Sequence, residues 1–110
     1  MKGTWVPLAL SLTACQASLA PDPPERGLLL VPGPNGLDVV GSGGLEIGFG
    51  RDRSGVLESV ARVEGRESRP AACGSGREAY ATRGGLRLVF EGDTFVGWEG
   101  PQGAAGRGCG

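Results

Sequence analysis

The stretch that decides the fold runs over residues 78–98 and reads EAYATRGGLRLVFEGDTFVGW. Apolar and polar residues alternate in three short runs, which Gly84-Gly85 and Gly92-Asp93 separate as two-residue turns. A period of two residues is typical of strands with one buried face, and short glycine-containing turns join antiparallel strands. The sequence therefore predicts a three-stranded meander. Its strands are residues 78–82, 86–91 and 94–98.

The turns also predict which side chains of the meander share a face. They place Phe90 opposite Phe95 of the third strand and opposite Ala79 of the first strand. Successive side chains of a strand alternate between its two faces, so one face of the meander is apolar and we expect a helix to cover it. That face carries Leu86, Leu88, Phe90 and Phe95.

The opposite face of the meander is a candidate partner surface. It is formed by Tyr80, Arg87, Val89, Val96 and Trp98. Arg87 is placed to stack on the ring of Trp98, and an apolar area of this size without an obvious cover is typical of an interaction site. Three interpretations remain open: the surface binds a protein partner or a second copy, residues 28–40 cover it, or a C-terminal half is missing.

Shorter signals before the meander indicate three more strands. Residues 28–31 (LLLV) are apolar, residues 37–40 (LDVV) are mostly apolar, and the turn-forming residues 32–36 lie between them. Residues 41–44 interrupt the second strand, and residues 45–49 then alternate as in a half-buried strand. Residues 66–76 predict a polar loop.

A single helix is predicted between the third strand and this polar loop. Asp52 or Ser54 can cap its N-terminus, and Gly65 is a natural stop. Its apolar face consists of Val56, Leu57, Val60, Ala61 and Val63. The predicted fold is α+β, a small two-layer domain over residues 28–98 with one helix packed on an antiparallel sheet.

Several of these segments resemble a known group of proteins. They are residues 44–51 (GLEIGFGR), Cys73, residues 85–90 (GLRLVF) and residues 95–98 (FVGW). The pattern resembles that of small proteobacterial envelope proteins of unknown function, over about half of the chain. The resemblance implies an α+β fold and an envelope location, and it brings no catalytic residues.

Proteins of that group continue past the tryptophan, whereas this chain closes with GPQGAAGRGCG. Because residues 99–110 are rich in glycine and have no apolar periodicity, we expect them to be disordered. A truncated or frameshifted reading frame is one explanation for such an ending.

The N-terminal residues resemble the export signal of a bacterial lipoprotein. Lys2 precedes an apolar run over residues 6–12, which is far shorter than the ~18 residues that a bilayer-spanning helix needs. Residues 12–15 read LTAC and resemble the lipobox, in which the cysteine thiol receives a diacylglyceryl group and the chain is cut before it. The resemblance implies a signal peptide over residues 1–14, lipidation of Cys15 and a membrane as partner. Cleavage after Ala20 by ordinary signal peptidase is the alternative.

The lipidated cysteine is followed by a proline-rich segment, residues 15–27, which predicts a semi-rigid tether between lipid and domain. An aspartate after the cysteine would resemble the inner-membrane retention signal. Gln16 stands there instead, so the resemblance favours the outer membrane, with the domain facing the periplasm.

Composition removes several classes of function. The chain has no histidine, which is the commonest general base and metal ligand, and its cysteines lack metal-site spacing. Its formal net charge is −1, which provides no basic patch for nucleic acid. We therefore expect no metal, no other cofactor and no nucleic-acid partner.

Two cysteines lie in the predicted mature chain beyond the lipidation site. Cys73 and Cys109 can form a disulfide in the oxidising periplasm, and closing that loop would contribute ~4 kcal/mol in the chain-entropy model. Two free thiols, or pairing with another chain, are the alternatives.

Acidic residues near the meander give the one enzymatic alternative. Glu91, Asp93 and Glu99 lie near one hairpin, and two close carboxylates suffice for glycoside hydrolysis. Solvated turn charges are the simpler interpretation. The leading hypothesis is thus a non-enzymatic envelope lipoprotein with a binding or structural role. An inhibitor or an assembly-accessory module fits the same features, and a carboxylate-based hydrolase is the competing class.

Overall fold

A computed structural model of the chain describes residues 27–74 and 76–110, which form two antiparallel sheets and one helix. The smaller sheet has the strand order β1-β2-β3 and the larger sheet has the order β4-β5-β6-β7-β8. The elements are β1 (Leu29–Gly33), β2 (Gly36–Val40), β3 (Glu46–Gly48), α1 (Arg53–Glu64), β4 (Arg69–Ala71), β5 (Glu78–Ala81), β6 (Arg87–Glu91), β7 (Thr94–Gly100) and β8 (Gly103–Gly106). The predicted α+β class, with one helix packed on antiparallel sheet, is confirmed. The predicted signal peptide, Cys15 and most of the tether lie outside the described residues.

The first hairpin, β1–β2, has a tighter turn than the sequence suggests. Its closing pair is Gly33 and Gly36, so only two residues form the turn. Gly36 has φ +142°, and a Cβ there would lie 2.3 Å from the carbonyl oxygen of Ile47 in β3. Because no side chain fits in that space, glycine allows β2 to pair closely with both of its neighbours.

Helix α1 begins and ends where its predicted capping residues stand. The carboxylate of Asp52 accepts a hydrogen bond from the backbone N–H of Gly55 at 2.9 Å, which satisfies one of the unpaired amides of the first turn. Gly65 adopts φ +74° and donates its N–H to the carbonyl of Ala61 at 2.7 Å. The buried face consists of Val56, Val60 and Val63. The predicted helix is confirmed, with Asp52 as its N-cap.

One apolar core joins the helix and both sheets. It contains Leu37, Val39 and Ile47 of the small sheet, the three buried valines of α1, and Leu86, Leu88, Phe90, Phe95 and Trp98 of the large sheet. Phe90 and Phe95 are cross-strand partners, as predicted, with ring centroids 5.5 Å apart. The indole Nε1 of Trp98 donates to the carbonyl oxygen of Gly33 at 2.7 Å, which links the two sheets directly.

The register of the meander differs from the prediction on both sides of β6. A bulge in the β6–β7 pairing lets Phe90 face Phe95 while Leu88 faces Trp98, so Val96 is the extra residue. On the other side, Thr82 N–H bonds to the carbonyl of Leu86. The intervening turn therefore has three residues instead of two. Ala79 consequently pairs with Val89 instead of Phe90.

Two segments expected to lack regular structure belong to the large sheet. Residues 66–76 contain β4, which pairs with β5 at the edge of the sheet, where the absent N–H of Pro70 is tolerated. Residues 99–110, expected to be disordered, instead complete β7 and supply β8. A disulfide between Cys73 and Cys109 fixes the end of this segment to the sheet. Within the described residues, no helix has the length and apolar character needed to cross a membrane.

Candidate functional site

An apolar groove of about 470 Å³ lies where four parts of the fold meet. Its walls come from β1 and the residue before it, the last turn of α1, the turn that leads into β6, and the β7–β8 hairpin. The principal wall residues are Leu28, Leu29, Leu30, Val63, Leu86 and Trp98, and we call this space the β1 groove. Its volume falls within the range of small-molecule binding sites.

The polar rim of the β1 groove is held by hydrogen bonds between α1 and the turn before β6. The Glu64 carboxylate accepts the backbone N–H groups of Arg83 at 2.9 Å and Gly84 at 3.1 Å. Arg83 Nη1 donates in return to the Glu64 carbonyl oxygen at 2.9 Å. This reciprocal arrangement satisfies a carbonyl at the C-terminus of the helix and fixes the position of both side chains at the groove mouth.

The polar side chains that line the β1 groove are those of Glu64, Arg83, Gln102 and Trp98. Trp98 is its one wall residue with a polar aromatic atom, and that atom is already bonded to Gly33. Among the described residues, Ser68 Oγ is the buried side-chain polar atom that lacks a partner, and Ser68 is not part of the groove. An occupant would therefore meet hydrocarbon along most of the walls and hydrogen-bonding side chains at Glu64, Arg83 and Gln102.

The apolar surface continues from the groove over the outside of β1–β2. Leu29 is 61% exposed and lines the groove, and its cross-strand partner Val40 is 50% exposed. Val31, on the same side of β1, is 38% exposed. Leu45 is equally exposed, at 65%, but does not line the groove. Leu29 and Leu45 thus form a matched pair for testing the groove.

The five residues of the candidate partner surface do not share one exposed face, so the predicted arrangement of the meander is wrong. Tyr80 and Trp98 lie on the core side, because the three-residue turn and the bulge each shift the register by one position. Val89 is fully buried under Cys109, and Val96 packs beside it, because the C-terminal segment covers that face. Arg87 forms an ion pair with Glu99 at 3.5 Å.

The opposite face of the large sheet is therefore covered by the chain itself. Ala79, Val89 and Cys109 form a second small core, and Ala71, Cys73 and Val96 pack against it. The Cys73–Cys109 disulfide, with Cα atoms 4.7 Å apart, closes this cluster. Of the three alternatives for the two cysteines, the intrachain bond is the one present.

Each of the three meander carboxylates is bound to arginine. Glu91 is paired with Arg107 at 2.9 Å and with Arg77 at 3.5 Å, and the hydrogen bond from Arg107 is the main cause that lowers the pKa of Glu91. Asp93 and Glu99 pair with Arg53 and Arg87 respectively. A general acid needs a raised pKa, whereas this carboxyl group moves in the opposite direction. No group of three potential metal ligands occurs in the described part of the chain.

No protein family, no curated protein and no solved structure matches the chain.

The sequence patterns did not lead to a prediction of the β1 groove. Residues 28–30 are three consecutive leucines in a strand with one buried side, so at least one of them had to be exposed. That run was the available signal. Pro101 and Gln102, at the far end of the groove, lie in the segment expected to be disordered.

Proposed function

We propose that this protein is an exported, lipid-anchored component of the bacterial cell envelope whose domain is a non-enzymatic binding module, with the β1 groove as its site for an apolar ligand. The observation that carries the proposal is the groove itself, which has a volume of about 470 Å³ and is walled by leucines and Trp98. The indole N–H of Trp98 and both carboxylate oxygens of Glu64 are already bonded within the protein.

Export and anchoring rest on the residues around Cys15. The lipobox resemblance gives the lipid attachment point, and Gln16 favours the outer membrane with a periplasm-facing domain. The Cys73–Cys109 disulfide supports an oxidising compartment, since such bonds persist in the periplasm and are rare in the cytosol.

The anchor is tested by mass spectrometry of the mature protein together with membrane fractionation. We expect an acylated N-terminal Cys15 in the membrane fraction, and a Cys15→Ser variant that is neither cut at this site nor acylated. An unmodified product beginning at Pro21 in the soluble periplasmic fraction would refute the anchor.

Binding in the groove is tested by fluorescence, because Trp98 lines it and the only other tryptophan is Trp5. In the full chain with Trp5→Phe and Cys15→Ser, 1-decanol should shift the emission of Trp98 in a saturable manner. Leu29→Asn should weaken the binding of decanol. Leu45→Asn, at a leucine of similar exposure outside the groove, should leave it unchanged. Equal effects of the two variants would contradict a binding site in the groove.

A further inference from the structure

The hydrogen bonds between Glu64 and the Arg83–Gly84 turn, at the rim of the β1 groove, leave some donors of Arg83 unused. Both oxygens of the Glu64 carboxylate accept backbone N–H groups of the neighbouring turn. The Arg83 guanidinium donates through Nη1 alone, and its Nε and Nη2 have no acceptor among residues 27–74 and 76–110. The unused hydrogen-bonding groups of this Glu64–Arg83 pair are therefore charged donors of Arg83, so a ligand head group placed at Arg83 has to be an acceptor.

Arg83 also carries no competing ion pair. Among the described residues, the arginines at positions 53, 77, 87 and 107 each contact a carboxylate, whereas Arg83 has no such contact, and neither do the arginines at positions 51, 62, 66 and 69. Of these five, Arg83 is the one that lines the groove. Its charge is fixed at the groove mouth by the bond to the Glu64 carbonyl oxygen. A guanidinium held in this way binds a carboxylate through charge-assisted hydrogen bonds, which are about twice as strong as neutral ones.

The walls specify the remainder of the ligand. They are mainly aliphatic, and the indole N–H of Trp98 is already bonded, so a long part of the ligand must need no hydrogen bonds. The groove also lies beside the start of β1, and Cys15 is only 12 residues before Gly27. A chain of that length spans at most ~40 Å, which would hold the groove near a membrane and its fatty acyl compounds.

We propose that the β1 groove binds a fatty acid, with the hydrocarbon chain along Leu28, Leu30 and Trp98 and the carboxylate at the guanidinium of Arg83. This inference rests on the proposed binding function and names the ligand class of the same site. The ligand that we propose is a free fatty acid and not the acyl chain attached to the protein's own cysteine.

The experiment compares three ligands that share one ten-carbon chain. Decanoate, 1-decanol and decyltrimethylammonium are titrated at pH 8 against the full chain with Trp5→Phe and Cys15→Ser, and Trp98 emission reports binding. Decanoate should bind more tightly than the alcohol by about tenfold, the effect of one hydrogen bond to a charged group. The cationic compound should bind more weakly than the alcohol.

Arg83→Gln should remove this preference, raising the Kd of decanoate by about tenfold while leaving that of decanol unchanged. Arg66→Gln is the matched control, because Arg66 is exposed next to the same end of α1 but does not line the groove. Near-ultraviolet circular dichroism establishes that each variant is folded.

The outcomes separate the two proposals. If decanol binds and decanoate has no advantage, or if Arg83→Gln leaves that advantage intact, the fatty-acid inference is overturned and the apolar site remains. If no ligand binds, both proposals fail. If the acylated mature protein does not bind decanoate while the Cys15→Ser protein does, the protein's own acyl chain is the occupant and the inference is again overturned.

Discussion

Loss of the Cys73–Cys109 disulfide should destabilise the domain by about 4 kcal/mol. The bond joins residues separated by 36 positions, and in the chain-entropy model a closed loop of that length lowers the entropy of the unfolded chain by this amount at 25 °C. It also holds Cys109, which is 7% exposed, against Ala79 and Val89. For a small glycine-rich domain this is a large part of the total free energy of unfolding.

The measurement is urea denaturation of the full chain with both cysteines replaced by alanine, compared with the parent protein under oxidising conditions. Alanine avoids a buried hydroxyl without a partner. We also expect faster amide exchange at Arg107, whose N–H bonds to the Val96 carbonyl oxygen at 2.8 Å, because the end of the chain is then released from the sheet.

Two controls separate the effect of the disulfide from other effects of the substitutions. Adding dithiothreitol to the parent protein should reproduce the unfolding curve of the double-alanine variant, and it should not affect the variant itself. Cys15→Ala should leave the free energy of unfolding unchanged, since this cysteine precedes the predicted domain. A loss below about 1 kcal/mol for the double variant would refute the account based on loop closure and on packing of the C-terminal segment.

Three further predictions concern stability. Asp52→Ala should lower the free energy of unfolding by about 1 kcal/mol in urea denaturation, because the N-cap hydrogen bond to Gly55 is lost. Gly97→Ala should destabilise the protein by more than about 2 kcal/mol by the same assay, because the new Cβ would lie 2.0 Å from the Arg107 carbonyl oxygen. Arg107 and Arg77 lower the pKa of Glu91 from 4.5, so the ionised carboxylate stabilises the fold above that pH and this stabilisation is lost as the pH falls through the lowered pKa. In Glu91→Gln, the melting temperature should therefore depend less on pH across this acidic range.

Each of these predictions has its own control. The sequence also allowed Ser54 as the N-cap. Ser54→Ala should leave the helix intact, because Asp52 makes the cap. Gly110→Ala should be neutral, since no atom lies within 4 Å of its Cβ position. The Glu91 effect should diminish in high salt because both partners are at the surface; persistence at high salt would contradict a surface ion pair.

The elements that the sequence predicts well are those with local signals. Helix α1 has an apolar face with helical spacing and a capping residue at each end, and the structure places its caps at Asp52 and Gly65. The β1–β2 hairpin and the Phe90–Phe95 pair follow from turn residues between apolar runs. In these cases neighbouring residues alone determine the conformation.

The register errors arise from features that depend on distant contacts. No residue near Val96 has a sequence pattern that predicts a bulge. The bulge is favoured because it brings Trp98 into the core, where its indole N–H bonds to the carbonyl oxygen of Gly33, 65 positions away. The C-terminal segment has a composition typical of disorder, yet pairing with β7 and the bond to Cys73 give it structure. Its pairing partners cannot be read from its own residues.

The β1 groove could not be predicted for the same reason. Its wall residues belong to four separate segments, within 28–32, 63–64, 83–86 and 98–102, which meet only after both sheets and the helix have packed. The sequence indicated an exposed leucine in the run 28–30 but not what lies beside it. Arg83 had no distinguishing pattern either, because its position at the groove mouth depends on the carbonyl of Glu64.

The pairing of β1 has a mechanical consequence for an anchored protein. Any pull from the membrane enters the domain at Leu29, at the open end of the β1–β2 hairpin, where Leu29 pairs with Val40. Force applied there separates the strands one pair at a time, starting with the leucines that wall the groove. The closed end at Gly33 is fastened to the core by Trp98 and yields last. If the protein is anchored and binds a ligand as we propose, tension would open the groove and release the ligand before the core beneath it unfolds.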